Sequence, residues 1–311
     1  MTKVKKIVTE QKTLVFLLLL VILMGIISPF FLTGDNIVNV LVQSSIYGIM
    51  ACGMTFAIIG GDFDLSVGST MALSGLVAIL CEPYVGQVPA MLLALLSAAA
   101  VGLVNGFLVA KCRISSFIVT IGTSYIFKGI ALKISNGDPI ASSNPWFGRM
   151  GNDKILGIPY LVIIMVLLVL ITHYVLTATR FGRNIYTIGG NMEVAHNSGI
   201  RTGFYKTSIF VLSAFTAGIA GILNASKLNT ASAVQGDNAA LSVITGVVIG
   251  GTSLIGGVGS IGKSMIGILI FSVITNALDL MGVFSYYQTG IRGLMLIVII
   301  GMEAYARYRE S

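Results

Sequence analysis

Long apolar runs alternate with short polar connectors along the whole chain. These runs have the length of about 17–25 residues that an α-helix needs to cross a bilayer core of ~30 Å. We therefore predict an all-α polytopic membrane protein, and we interpret residues 1–311 as a single transmembrane domain. The ten predicted spans have the approximate bounds 13–32, 37–60, 65–81, 88–110, 115–134, 158–178, 205–226, 239–255, 262–280 and 288–306.

The composition excludes a soluble globular protein of this size. Hydrophobic residues make up 55% of the 311 residues and charged residues only 10%, with a mean hydropathy of +0.93. Soluble domains carry about 25% charged residues. The first apolar run is too long for a signal peptide, and no small-residue cleavage pattern follows it. We expect this run to remain as a helix.

Basic residues concentrate on one side of the predicted topology. With a cytoplasmic N-terminus, 13 of the 19 basic residues fall on the cytoplasmic side, as the positive-inside rule requires. They are Lys3, Lys5, Lys6, Lys12, Lys111, Arg113, Arg180, Arg183, Arg201, Lys206, Lys263, Arg307 and Arg309. Acidic residues dominate the opposite side, namely Asp35, Glu82, Asp138, Asp153 and Asp237. The sequence thus predicts that both termini are cytoplasmic. The net charge of +7 follows from this topology and is poor support for nucleic-acid binding.

One polar segment, residues 180–206, is rich in basic residues and lies between two apolar runs. Its sequence is RFGRNIYTIGGNMEVAHNSGIRTGFYK. The Gly189–Gly190 pair is expected to break the chain before a short helix at about 191–198. Asn191 has the side chain of a helix cap, and Glu193 suits the positive end of the helix dipole.

Gly199 is a suitable residue to end this short helix in the left-handed conformation. The predicted product is a compact two-turn knob on the cytoplasmic face. An alternative is an amphipathic connector that lies on the lipid surface, but the segment has few apolar residues for that role.

A glycine-rich stretch, GGDFDLSVGS, separates the second and third predicted spans at residues 60–69. Asp64 is placed to cap the third helix by accepting from backbone N–H groups two and three residues further on, and Ser66 and Ser69 suit the same turn. A second interpretation is a broken helix whose N-terminus and carboxylate line a polar pathway. The two roles are compatible, and the sequence leaves both open.

Further polar residues fall inside the predicted spans: Thr55, Asn105, Thr120, Thr123, Ser124, Asn276 and Asp279. Neutral polar groups at such depth either bridge helices or line a hydrated route. As a set they favour a pathway for a neutral, hydroxylated solute. We single out Asp64, Ser66, Asn105, Thr120 and Asn276 as candidate pathway residues.

The segment GVGSIGKS matches the P-loop pattern through Gly257, Gly262, Lys263 and Ser264. A working P-loop follows a strand and opens a helix in a soluble nucleotide-binding fold. Here the pattern joins two transmembrane runs. We interpret the glycines as residues of a tight turn and Lys263 as an interfacial anchor, and we expect no ATP site in this chain.

The remaining chemistry-bearing residues form no catalytic or metal-binding pattern. Cys52, Cys81 and Cys112 are scattered, without a CxxC pair, and are expected to act as small apolar residues. His173 and His196 have no recognisable partner. We therefore expect neither a catalytic residue nor a metal site.

The motifs GGDFDLSVGS, TRFGRNIYTIGGNMEVAHNSGI and GGTSLIGGVGS, in this order, resemble the sugar-type ABC importer permeases, the family that includes the ribose transporter's membrane subunit. The resemblance covers nearly the whole chain. It implies a ten-helix subunit of the type II-like ABC importer architecture. It also implies that residues 180–206 hold a coupling helix that inserts into an ATPase. The matching positions are Gly189, Gly190, Asn191, Glu193, Ala195, Ser198 and Gly199, and Asp64 and Ser66 match the DLS segment.

The resemblance further implies three partners. They are a cytoplasmic ATPase with two nucleotide-binding modules, an extracytoplasmic sugar-binding protein, and a second permease copy or paralogue. ATP would be bound by the ATPase, and the chain itself would need no cofactor. Replacing Glu193 or Gly190 would then uncouple ATP hydrolysis from uptake while leaving membrane insertion intact.

An ion-coupled secondary transporter of a small polar solute is the alternative of another class. Such carriers often contain inverted repeats. Here the only echo is between AIIGGDFDLSVGS and VVIGGTSLIGGVGS, which would end spans that run in the same direction. A carrier of this class also has no need of a 27-residue polar segment at its centre. A soluble-type ATPase would rest on GVGSIGKS alone.

Overall fold

The fold is seen in a computed structural model, which describes residues 12–308. Four of the basic residues that were assigned to the cytoplasmic side lie outside the described residues: Lys3, Lys5, Lys6 and Arg309. Thirteen helices and four two-residue strands are described. The helices are α1 Lys12–Ile27, α2 Gly34–Ile59, α3 Val67–Val85, α4 Gln87–Ala110, α5 Ser116–Ser135, α6 Arg149–Asn152, α7 Tyr160–Ala178, α8 Arg180–Gly190, α9 Met192–Asn197, α10 Thr202–Leu228, α11 Ala239–Ile249, α12 Ile261–Leu280 and α13 Ser285–Tyr308. The strands are β1 Ile140–Ala141, β2 Lys154–Ile155, β3 Ile158–Pro159 and β4 Thr230–Ala231.

A helix lies at each of the ten predicted apolar segments, but the helices differ in their capacity to span a membrane. Within residues 12–308, seven are long and apolar enough to cross one: α2, α3, α4, α5, α7, α10 and α12. The helices α1 and α11 are shorter apolar helices. The described part of the chain is therefore consistent with an all-α polytopic membrane protein that has seven candidate spans.

Two of the predicted segments end earlier than expected. The first was predicted to reach residue 32 but ends at Ile27, because Pro29 disfavours helical geometry at the residue before it. The eighth was predicted to reach residue 255 but ends at Ile249. There Gly251 takes a φ of +90°, which a helix cannot continue through.

The centre of the bundle is formed by α2 and α10, which are buried along most of their length. Small residues of α4 recur every fourth position at Ala90, Ala94, Ala98, Gly102 and Gly106, and all five are buried. Such a stripe lets two helix backbones approach closely. A Cβ at Gly102 would lie 2.6 Å from a backbone oxygen of α10, so the close packing requires the glycine.

The short strands gather at one end of the bundle, which we call the β end. Strand β1 pairs antiparallel with β4, and β2 pairs antiparallel with β3. Glu82, in the last turn of α3, accepts hydrogen bonds from Ser142 Oγ at 2.9 Å and Asn144 Nδ2 at 2.6 Å. These bonds hold the long connector between α5 and α7 against the helices.

Candidate functional site: a glycine-linked segment and a buried polar cluster

The polar segment 180–206 begins with a helix that the sequence reasoning missed. Helix α8 covers Arg180–Gly190, and its first turn is capped by Thr179, whose Oγ1 accepts from the Gly182 N–H at 3.3 Å. Gly182, Ile185 and Ile188 are buried against the bundle. The predicted break at Gly189–Gly190 is wrong, because the helix continues through both glycines before it ends.

Helix α8 is amphipathic and is held to the bundle by a polar contact as well. The Tyr186 hydroxyl donates to the Gly259 carbonyl oxygen at 2.7 Å, which connects α8 to the turn before α12. Burial raises the pKa of this hydroxyl, so it stays protonated and keeps its role as a donor. Helix α8 therefore packs on protein rather than lying free on the lipid surface.

The second helix of the segment, α9, matches the prediction. It covers Met192–Asn197, inside the expected 191–198. The Asn191 side chain accepts from the backbone N–H groups of Glu193 and Val194, both at 3.0 Å. Asn191 is therefore the N-cap, as its residue type indicated.

The end of α9 is a Schellman motif. Gly199 takes a φ of +79°, its N–H donates to the His196 carbonyl, and the next N–H, of Ile200, donates to the Ala195 carbonyl. Ala195 is fully buried and anchors α9, whereas Met192 and Val194 are about half exposed. The result is a rigid knob with two apolar side chains on its outer surface.

A pocket lies beside this knob. It has a volume of about 340 Å³ and is lined by Asn184, Gly199, Ile200, Arg201, Phe204 and Tyr205. Asn184 donates to the Tyr205 hydroxyl at 2.6 Å, which fixes one wall of the pocket. The pocket offers both a cationic and an aromatic side chain to a partner.

Glycines from three separate motifs meet where α8 ends. We call this contact the glycine junction, and it consists of Gly61, Gly189–Gly190 and Gly256–Gly257. A Cβ at Gly189 would overlap the Ile59 carbonyl oxygen. A Cβ at Gly256 would lie 2.8 Å from the Gly189 carbonyl oxygen and 3.0 Å from Gly61 Cα.

The Gly257 N–H also donates to the Ile59 carbonyl oxygen at 2.8 Å. The three segments thus touch backbone to backbone at the junction. Gly61, Gly256 and Gly257 take positive φ values of 80°, 98° and 71°. These conformations and the close approach together require glycine.

An ion pair lies next to the glycine junction. Lys206 Nζ is 2.8 Å from Asp62 Oδ2, and the two side chains are only 12% and 6% exposed. It joins the segment between α2 and α3 to the first turns of α10. Breaking a buried pair is strongly destabilising because one charge is left without a partner.

The segment between α2 and α3 carries two of the five predicted pathway residues, Asp64 and Ser66, and is contacted by two more, Asn105 and Thr120. Asp64 Oδ1 accepts from the Ser66 N–H at 3.0 Å and from Ser66 Oγ at 2.6 Å. Asn105 Nδ2, on α4, donates to Ser66 Oγ at 2.8 Å. Thr120 Oγ1, on α5, donates to the Phe63 carbonyl at 3.4 Å and to its own helix at 2.7 Å.

The predicted cap is therefore correct in part. Asp64 accepts from the N–H two residues on but not from the N–H three residues on, and α3 starts only at Val67 with Ser66 as its N-cap residue. The carboxylate makes an Asx turn before the helix rather than capping its first turn.

The polar cluster of Asp64, Ser66, Asn105 and Thr120 is fully buried. Among the residues that the structure describes, Asp64 Oδ2 and Asn105 Oδ1 have no hydrogen-bond partner. Unsatisfied atoms of this kind are rare in the interior of a protein. In this conformation, then, none of the four side chains is open to a pathway.

Asn276 lies apart from this cluster. Its amide and that of Asn36 each donate to the other, at 2.8 and 2.9 Å, and both residues are buried. The pair bridges α2 and α12. Both halves of the Asn276 amide are used in this bridge, which is the helix-bridging role that the sequence also allowed.

The P-loop-like segment has no nucleotide-binding geometry. It follows helix α11 and an irregular turn rather than a strand, and Lys263 and Ser264 lie in the first turn of α12. Ser264 Oγ is 3.1 Å from Thr252 Oγ1. Gly257 takes a φ of +71° in the turn before α12, as predicted, whereas a Cβ at Gly262 would meet only Ser260 Oγ at 4.0 Å, so close packing does not require that glycine.

Sequence reasoning did not identify Asp62, Lys206, Gly61 and Gly256 as a connected set. A signal for Asp62 was present, since a carboxylate so near apolar runs needs a partner. No local pattern indicated that its partner is Lys206.

The chain is similar to known transport proteins over most of its length. Residues 36–300 match the family model described as "Branched-chain amino acid transport system / permease component". The ribose import permease protein of Escherichia coli K12 is 38% identical over 296 residues, which are 94% of this chain and 92% of that relative. The ribose import permease protein of Bacillus subtilis is 38% identical and covers 97% and 98% of the two chains.

The xylose transport system permease protein of E. coli K12 is 31% identical and covers 90% and 87% of the two chains. No solved structure matches the chain. The family model covers most of the chain, and the spanning helices and the α8–α9 segment agree with a membrane transport subunit. The chain belongs to the branched-chain amino acid transport system permease component family, and its sugar-permease relatives are membrane subunits of ABC transporters.

Proposed function

We propose that this chain is the permease subunit of an ATP-driven importer for a monosaccharide or a related neutral polyol in the bacterial inner membrane. The observation that carries the proposal is the similarity to ribose, allose, arabinose and xylose permeases over at least 90% of the chain. The neutral polar side chains inside the bundle suit such a solute, because hydroxyl groups need hydrogen-bond donors and acceptors.

The proposed topology has ten spans with both termini in the cytoplasm. In this orientation the α8–α9 segment faces the cytoplasm and the β end faces outward. The positive-inside rule supports it, since Lys111, Arg113, Arg180, Arg183 and Arg201 then all lie inside. The short helices α1 and α11 would span with the help of the residues that follow or precede them.

The proposed partner of the α9 knob is a cytoplasmic ATPase with two nucleotide-binding modules. Exposed Met192 and Val194 offer it an apolar contact, and the adjacent pocket offers Arg201. ATP is bound by that subunit and not by this chain. The ATPase shifts the permease between states only if it binds them with different affinity.

The proposed complex has two further members. An extracytoplasmic binding protein delivers the solute to the β end, and a second permease copy or a paralogue completes the pathway. We propose that the segment between α2 and α3, with Asp64, Ser66, Asn105 and Thr120, borders this pathway. Asn276 has the weaker case among the predicted pathway residues, because its amide is occupied by Asn36.

The family description favours a second candidate, an amino acid as the solute. A free amino acid carries two charges, whereas the four clustered side chains near α3 include only one ionisable group, that of Asp64. This chemistry supports the sugar. An ion-coupled carrier is less well supported, since the α8–α9 knob would have no function in it.

The test is a ligand screen followed by reconstituted transport. The proposed binding protein is screened by thermal shift against sugars, polyols and amino acids, since a bound ligand raises its melting temperature. The best ligand is then supplied to proteoliposomes that contain the permease, the ATPase and the binding protein. We expect sugar uptake that requires ATP. Uptake driven by an ion gradient without ATP, or a response to amino acids only, would contradict the proposal.

A further inference from the structure

The α8–α9 segment touches the core of the bundle through backbone at the glycine junction, in addition to the buried side chains of Ile185 and Ile188. At the glycine junction, Gly189 contacts the Ile59 carbonyl oxygen, and Gly257 donates to the same oxygen at 2.8 Å. Side chains can change rotamer and absorb a displacement, but close-packed backbone cannot. A movement of α8 is therefore passed on to the end of α2 and to the turn before α12.

The buried ion pair adds a second fixed point to the same place. Lys206, in the second turn of α10, holds Asp62, which directly follows the junction residue Gly61. Another basic residue at this end, Lys263, is exposed and has no acidic partner among the side chains that the structure describes. The pair thus joins α10 specifically to the segment between α2 and α3.

This segment leads directly to the start of α3. Two residues beyond Asp62, Asp64 binds Ser66, and Ser66 accepts from Asn105 of α4. Gly68, in the first turn of α3, packs with its backbone against Gly236 of the connector between α10 and α11. A displacement at Gly61 thus has a continuous route to the N-terminus of α3 through the buried side chains of Asp62, Asp64 and Ser66.

We propose that the glycine junction and the Asp62–Lys206 pair form a rigid connection through which movement of the α8–α9 knob displaces the start of α3. The residues Asp62 and Lys206 are then positioning residues for transport and contact neither ATP nor the solute. This inference rests on the proposed function, because it assumes that an ATPase moves the knob.

The test is a double-mutant cycle in the complete transporter, reconstituted in proteoliposomes. The variants are Asp62→Asn, Lys206→Gln and the two together, and both ATP hydrolysis and solute uptake are measured. The matched control is Lys263→Gln, which removes a positive charge at the same end of the bundle without breaking an ion pair.

We expect each single variant to hydrolyse ATP at the normal rate and to take up about tenfold less solute per ATP, because an unpaired buried charge displaces the segment. The double variant should be no worse than either single one, since the two residues act as a unit. Lys263→Gln should transport normally.

Three results would overturn the inference: unchanged uptake per ATP in the single variants, equal losses of hydrolysis and uptake, or additive losses in the double variant. Equal losses would mean that the pair serves only assembly. Failure of the proposed function gives a different result, namely that the unmodified transporter shows no ATP-dependent uptake at all.

Discussion

At the residue scale, adjacent glycines in this chain have different physical requirements. Gly189 and Gly190 follow one another at the end of α8, yet a Cβ at Gly189 would overlap backbone atoms whereas one at Gly190 would meet nothing within 4 Å. We therefore expect that replacing Gly189, rather than Gly190 as the sequence suggested, uncouples ATP hydrolysis from uptake. Only the tertiary packing separates the two residues.

Gly189→Ala should lower the free energy of unfolding of the permease by about 1–3 kcal/mol, the usual effect of overpacking. Gly190→Ala is the matched control, and we expect it to be neutral or slightly stabilising, because alanine is the better helix former. The measurement is the melting temperature of each variant in detergent. Equal melting temperatures for the two variants would contradict the junction geometry.

Asp64 raises a second question at the residue scale, since it is completely buried and has no ion-pair partner in the described part of the chain. An isolated buried carboxylate is costly and is usually neutralised by a proton. A neutral carboxyl group would also have a hydrogen to donate to a neighbouring acceptor. Asn105 Oδ1 lacks a donor in this region.

We therefore predict that Asp64→Asn retains expression, melting temperature and transport, because an amide can both accept from Ser66 and donate onward. Asp64→Leu should lose about 1–3 kcal/mol, the effect of leaving buried partners unpaired. Melting temperature and uptake are measured for both variants. If Asp64→Asn is as damaged as Asp64→Leu, then the charge itself is needed.

At the scale of single elements, α9 is specified almost entirely by its own sequence. The Asn191 cap, Glu193 in the first turn and the Gly199 stop each follow from residue type, and the structure confirms the helix at Met192–Asn197. Helix α8 differs, because its glycines suggested a break. Its buried face of Gly182, Ile185 and Ile188 stabilises a helix that local propensity disfavours.

The cap gives a prediction at this scale. Asn191→Ala should weaken α9 by about 1 kcal/mol. Glu193→Lys should reduce the stimulation of the ATPase, because it places a positive charge at the positive end of the helix dipole and on the exposed surface of the knob. ATP hydrolysis by the assembled transporter is measured with and without the loaded binding protein. Normal stimulation and uptake in both variants would contradict the role of α9 in coupling.

At the scale of the whole molecule, two polar ends enclose an apolar bundle, and their orientation is open to a direct test. Leu156 at the β end is almost fully exposed, and Ser198 next to α9 is exposed as well. Cys112 is the exposed natural cysteine in the described part of the chain and is first replaced by serine.

In this background, Leu156→Cys should react with a membrane-impermeant thiol reagent in intact cells. Ser198→Cys should react only after the cells are permeabilised. The extent of labelling on each side is compared by mass spectrometry. The reverse pattern would invert the proposed topology and exclude a cytoplasmic partner for α9.

One contact between two glycine motifs is seen only at this scale. The GGDFD and GGVGS segments are distant in the sequence, but Gly61 and Gly256 are in contact at the glycine junction. Both glycines take positive φ values, which favour glycine, and a Cβ at Gly256 would come within 3.0 Å of Gly61. The faint sequence echo pairs Gly60–Gly61 with Gly250–Gly251 instead, and Gly250 packs against Lys263 of α12.

The sequence by itself determined the membrane class, the positions of the apolar helices and the short helix α9. These properties depend on hydropathy over one span and on capping over a few residues, and both are local. Tertiary structure alone decided the rest: that α8 is a helix, that Asp62 pairs with Lys206, that Asn276 pairs with Asn36, and that glycines of three motifs meet. Contacts between distant segments leave no local pattern, because a glycine at a junction and a glycine in an open turn are identical in the sequence.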